Sequence, residues 1–230
     1  MVRQTLITIC LFLLPISAFA MEDASCEILA LKKNGPPYNY NDRSAAAQER
    51  LRLAEGAHFT KSVRMGVAGN AGSLIGDLDF VLKVFPNHPY ALSVMADLQH
   101  RPGFSRQHSL RRDRYYPTLN CYFLRAMHVA PNDPNVLLIQ AITQHKQKDY
   151  QGAKVSYLKA LAIKPDAAEV HYNLGLLLIK LGETREALNH AHSAYALGYP
   201  LSGLRDKLQS QGAWKEPEAS STDPVLDPRS

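Results

Sequence analysis

From Pro134 to Pro200 apolar residues recur every three or four positions, in blocks of about a dozen broken by short polar stretches. Leu137, Leu138, Ala141 and Ile142 share one helical face, as do Ala153, Tyr157, Ala160 and Leu161 further on. This pattern predicts a helix from about Asn135 to Lys148, a turn at 149–152, and a second helix from about Ala153 to Ile163. The block from His171 to Pro200 repeats the arrangement, with its turn at Leu181-Gly182-Glu183. The expected fold class is therefore all-α.

The two blocks are in register. Ala126, Ala160 and Ala194 stand 34 residues apart, as do Ala153 and Ala187, and Pro131 and Pro165. A fixed period of this size marks stacked antiparallel helix pairs, none of which can bury its apolar face alone. Upstream the regularity weakens. Leu74 to Phe85 reads as a second-arm helix, Tyr90 to Gln99 as the next first arm, and Thr118 to Val129 as its partner. Pro86 and Pro131 are 45 residues apart, which places 11 extra residues in the turn between Gln99 and Thr118. Downstream, Leu201, Leu204 and Leu208 oppose Arg205, Lys207 and Gln211, the pattern of a capping helix over 201–214 that shields the open end. Residues 21–73 give an extended start at Pro36-Pro37 and a short helix from Ala45 to Leu53.

The Leu174-Gly175 pair early in a first arm, alanines at 153, 160, 187 and 194, Tyr157 and the closing Pro165 resemble the tetratricopeptide repeat family. Ala141 stands in the glycine slot of the first unit, Ala191 in the aromatic slot of the second, and Pro200 arrives one residue late. The resemblance covers roughly 74–208, with clear units at 134–167 and 168–200 and degenerate ones at 74–131. It implies a right-handed superhelical stack of about three and a half repeats, and action by binding another protein without catalysis. In this family the concave surface is built mostly by the first arms. That places Asn135, Leu138, Ile139, Ile142, His145 and Lys146 beside Glu169, Tyr172, Asn173, Leu176, Ile179 and Lys180. Asn173 matches a slot often used to hydrogen-bond an extended peptide. Ile139 fills the same slot one unit earlier, so a full carboxylate-clamping set is not expected.

The termini suggest the compartment. Residues 1–20 carry a basic Arg3, an apolar run from Leu6 to Ile16 and Ala18-Phe19-Ala20, the make-up of a cleaved secretory signal. The run is short of the roughly 20 residues of a spanning helix, so the mature chain is expected to have no transmembrane segment. No apolar residue precedes Cys26 at lipobox spacing, which argues against a lipid anchor. Cleavage leaves Cys26 and Cys121, either one bridge or two buried thiols; an oxidising compartment favours the bridge. Closing so long a loop stabilises a fold by roughly 4 kcal/mol in the chain-entropy model. The tail from Lys215 has few apolar residues and three prolines and is expected to be disordered. The formal charge of +5 falls to +4 without Arg3, too small an excess to imply nucleic acid.

Candidate chemistry is sparse. The inserted turn carries Arg101, Arg106, Arg111, Arg112 and Arg114 followed by Tyr115 and Tyr116. Guanidinium forks and adjacent tyrosines suit anionic polysaccharide, a head group or an acidic surface. His190 and His192 fall on different faces of one helix and His171 on another, so no metal site and no cofactor are expected. Gly66, Gly69, Gly72 and Gly76 lack a following Gly-Lys-Ser/Thr and read as turns. Glu55 and His58 are the one enzymatic constellation in view. The sequence thus predicts a non-enzymatic periplasmic scaffold that binds an envelope or secreted protein in its concave groove. The alternative is carbohydrate or anionic-polymer binding within a polysaccharide export or envelope assembly system.

Overall fold

The computed structural model describes residue 26 and residues 37–107 and 115–216. The signal sequence, the centre of the inserted turn with Arg111, Arg112 and Arg114, and the tail beyond residue 216 lie outside the described residues. The described residues form helices α1 (Ala45–His58), α2 (Lys61–Arg64), α3 (Leu74–Val84), α4 (Pro89–Gln99) and α5 (Leu119–Val129), followed by α6 (Pro134–Lys146), α7 (Tyr150–Ile163), α8 (Ala168–Leu181), α9 (Thr184–Ala196) and α10 (Gly203–Ser210). The all-α class is as expected, and α6/α7 and α8/α9 are the two antiparallel hairpins of the 34-residue register.

The period has a steric meaning. Ala126, Ala153, Ala160, Ala187 and Ala194 are all completely buried, on the second arms α5, α7 and α9. Only a small side chain fits where two helices approach this closely. Gly175 has a different neighbour from the one its sequence suggests. A Cβ there would lie 2.5 Å from Leu204 of α10 and 3.4 Å from the Ala187 carbonyl, so the glycine chiefly makes room for the final helix.

Helix starts follow from local chemistry. Ser44, Ser73, Thr118, Asp133 and Asp149 each accept a backbone N–H of the first turn. Pro89 and Pro134 occupy first helical positions, where a missing N–H carries no penalty. The N-cap of α4 is an imidazole: Nδ1 of the fully buried His88 accepts the Ala91 N–H at 3.2 Å. The other ring nitrogen therefore carries the proton and donates to Glu55 Oε1 at 2.9 Å. Burial lowers the pKa of this ring and keeps it neutral.

The N-terminal segment departs from expectation. Helix α1 runs for 14 residues, past the expected end at Leu53, and packs on α3 as the first arm that the upstream half unit lacked. Gly76 lies within α3 and not in a turn, its Cα facing the Tyr116 hydroxyl. Asp77 Oδ2 holds the Asn70 and Ala71 N–H groups, which orders the loop before α3. Ahead of α1, the chain crosses two inter-repeat turns. Asn87, fully buried, accepts from Tyr40 N and donates to Asn39 Oδ1 and Asp133 Oδ2, while Asn41 also donates to Asp133 Oδ2. Cys26 is bonded to Cys121 in α5, with an S–S distance of 2.05 Å.

Helix α6 divides the core. Val136 and Ile139 join a cluster with α2 to α5, while Leu137, Leu138 and Ala141 join another with α7 to α10. In α10, Leu204 and Leu208 are fully buried, as a capping helix requires, but Leu201 precedes the helix and is 55% exposed. Trp214 folds back so that Arg205 lies 4.6 Å from the Tyr195 ring and 4.9 Å from its own. No described helix is long and apolar enough to cross a membrane.

Candidate partner-binding groove

The first arms α4, α6 and α8 begin at Pro89, Pro134 and Ala168, and this alignment fixes which side chains form one row. Their second residues, Tyr90, Asn135 and Glu169, are exposed. Two and three turns further on, Ile142 on α6 and Leu176 and Ile179 on α8 are half-buried, an apolar strip between polar margins. At the other margin Lys146 pairs with Asp97 of α4 at 2.6 Å, and Gln147 meets His100 Nε2 at 2.7 Å. These contacts lock the C-terminal ends of α4 and α6 together. His145 is half-buried beside Tyr150, and its pKa is lowered by burial and by Lys180 on α8. Lys180 itself is exposed.

Three residues of the expected groove are buried. Leu138 and Tyr172 are each only 8% exposed. Leu138 is packed into the cluster shared by α7 and α8. Tyr172 lies against Tyr199 with ring centroids 4.4 Å apart, and a Cβ on Gly203 would meet its hydroxyl at 2.9 Å, so the closing segment covers it. Ile139 is likewise buried. Asn173 is half-buried, and its Nδ2 donates to the Glu169 carbonyl one turn back at 2.9 Å. Its side-chain oxygen is left as the acceptor for a second group.

The sequence treatment missed the α4 contribution. Tyr90, Asp97 and His100 extend the same rows by one unit, and the match of Pro89 to Pro134 was the signal that placed them.

The inserted turn is built differently from its sequence description. Arg106 and Tyr116 close its neck: Tyr116 N donates to the Arg106 carbonyl at 2.7 Å, and Arg106 Nη1 donates to the Tyr116 carbonyl at 3.1 Å. Arg101 Nη1 donates to the Gly66 carbonyl at 2.7 Å. Both guanidinium groups hold backbone, and Tyr116 is buried, whereas Tyr115 is 64% exposed.

Glu55 and His58 do not form a pair. Glu55 goes to His88, and His58 Nδ1 meets Asp77 at 2.7 Å with its ring stacked on Phe80. Each contact joins α1 to α3 or to the turn after it. The histidines near the other end do meet. His171 and His190 touch through Nδ1 at 2.8 Å, whereas the His192 ring lies against Trp214 and its Nε2 donates to the Lys215 carbonyl. Among the described residues no group of three or more His, Cys, Asp and Glu converges as a metal site.

The profile described as TPR repeat matches residues 143–182, from the end of α6 through α8. Among solved structures the chain is similar to a crystal structure of MamA protein, at 14% identity and a TM-score of 0.47, over 74% of this chain and 85% of that one. Another crystal structure of MamA is similar at 16% identity and a TM-score of 0.43, over 61% and 78% of the two chains. No curated protein matches. Residues 143–182 match the tetratricopeptide repeat profile, and the hairpins α6/α7 and α8/α9 that span them repeat one backbone register, so the fold of this part of the chain is of the tetratricopeptide repeat type.

Proposed function

We propose that the chain is a non-enzymatic scaffold of the bacterial cell envelope that binds a segment of another protein in the groove lined by α4, α6 and α8. The observation that carries this is the half-buried strip of Ile142, Leu176 and Ile179, flanked by exposed Asn135 and Glu169 on one side and Lys180 on the other. An amphipathic helix or an extended peptide fits such a strip through its apolar side chains, while the polar margins set its direction. In this reading the Asn173 side-chain oxygen, left over once Nδ2 has donated to the Glu169 carbonyl, accepts a backbone N–H from that peptide. Export to the periplasm is supported by the make-up of residues 1–20 and by the Cys26–Cys121 bond, since disulfides persist in oxidising compartments. The polymer-binding alternative draws less support, because Arg101 and Arg106 are engaged with backbone carbonyls.

The test is crosslinking in intact cells from a photoreactive residue at Leu176, compared with one at Val155 on the exposed face of α7. A protein adduct from position 176 is expected that is lost when unlabelled wild-type chain competes and persists when the Leu176→Asp chain competes. Adducts of equal yield from both positions, or only with polysaccharide, would overturn the groove.

A further inference from the structure

His171 on α8 and His190 on α9 face each other across the hairpin, Nδ1 to Nδ1 at 2.8 Å, with ring centroids 5.1 Å apart. No carboxylate is bonded to either ring in this arrangement. His171 Nε2 lies 2.8 Å from the Pro165 carbonyl, which can only accept, so that nitrogen carries the proton and Nδ1 presents its lone pair to His190. A backbone carbonyl holding the far nitrogen of a histidine is the arrangement that orients metal-ligating imidazoles. We propose that the two Nδ1 atoms form a half-site for a divalent transition metal such as zinc, bridging α8 to α9 with water completing the coordination.

The geometry is close to what the ion needs. Two nitrogens bound to tetrahedral zinc at about 2.05 Å lie roughly 3.3 Å apart, so the rings must open by about 0.5 Å. Nothing is lost in the proton balance: the proton on His190 Nδ1 moves to Nε2, giving the other neutral tautomer, and the lone pair turns to the metal. Burial and the neighbouring His171 depress the His190 pKa to about 4, which leaves the ring unprotonated at neutral pH. The Lys154 charge also reaches His190 and lowers its pKa, but that ammonium is itself held by carboxylates. Lys154 of α7 is bonded to Glu183 and lies 3.7 Å from Glu186, so two carboxylates face one ammonium. Glu186 stands one turn before His190 on the same helix and is exposed.

Calorimetric titration of the metal-free chain with zinc chloride is the direct measurement. One zinc per chain is expected, with a saturable rise in Tm that EDTA reverses. His171→Gln and His190→Gln should each abolish both effects, and His192→Gln should leave them intact. Circular dichroism of each variant separates lost binding from lost folding, and cobalt absorption of the wild-type chain gives a readout independent of stability. Absence of a cobalt band together with no zinc heat, or equal zinc binding in His190→Gln, would overturn the proposal.

Discussion

Lys148 and Gly182, 34 residues apart, hold the same left-handed backbone, with φ of 65° and 78°, at the same point in successive hairpin turns. In both, the next residue's N–H bonds back across the turn, from Asp149 to the Gln144 carbonyl and from Glu183 to the Leu178 carbonyl. The period seen in the alanines is thus also a period in backbone conformation. Glycine meets it without strain in the second hairpin; in the first, a lysine is forced into it.

Lys148→Gly should therefore stabilise the chain by about 1 kcal/mol, since a non-glycine residue in this region carries roughly 1–2 kcal/mol of strain, partly offset by the added freedom of the unfolded glycine. Gly182→Ala should destabilise by a similar amount. Urea denaturation measures both. Equal midpoints for Lys148→Gly and the wild-type chain would refute the assignment.

Tyr122 and Tyr157 are both fully buried, but only one hydroxyl is bonded. Tyr122 donates to Asp79 Oδ1 at 2.7 Å, and Lys83 holds the other oxygen of that carboxylate. The Tyr157 hydroxyl has no hydrogen-bond partner. Tyr122→Phe should cost about 1–3 kcal/mol by leaving a buried carboxylate oxygen bare, whereas Tyr157→Phe should be neutral or raise stability. Thermal melting of the two variants side by side checks the contrast.

Acid should weaken the α8/α9 hairpin before the carboxylates titrate. The folded chain holds His190 near pKa 4, below the roughly 6.5 of an unfolded histidine, so the unfolded state takes up a proton first. The stability this neutral ring confers is fully present above pH 6.5 and is lost as pH falls toward 4. Melting curves in EDTA should show a Tm that declines across this range, with a shallower decline in His190→Gln. Parallel slopes would show that the ring is not held neutral by folding.

Regions of strong periodicity were legible in the sequence because small residues recur where helices touch. The hairpins α6/α7 and α8/α9 and the second arm α5 announce themselves this way, while α3 and the cap α10 do so by their apolar faces. Helix α1 was legible only as far as Leu53, since it buries only Ala47 and Ala54 and leaves Leu53 exposed beside Glu49 and Arg52. Its length is set by tertiary contacts, through Glu55 to His88 and His58 to Asp77. The groove was legible as a row of positions, but not the closure of its end. Tyr172 has the position of a binding residue and is covered by Tyr199, because the array stops one unit later. The His171–His190 contact joins residues 19 apart on opposite arms. Helical periodicity within one arm carries no trace of it, although the arm register set by Gly182 does.

A linear stack ordinarily frays at both extremities, since a terminal unit has a single neighbour. Cys26 and Cys121, 95 residues apart, convert helices α1 to α4 into a covalently closed ring on the fifth. That gives the array a direction of opening: thermal excursions peel α10 and then α9 away from one side, while the ringed half stays in register as the template on which they re-form.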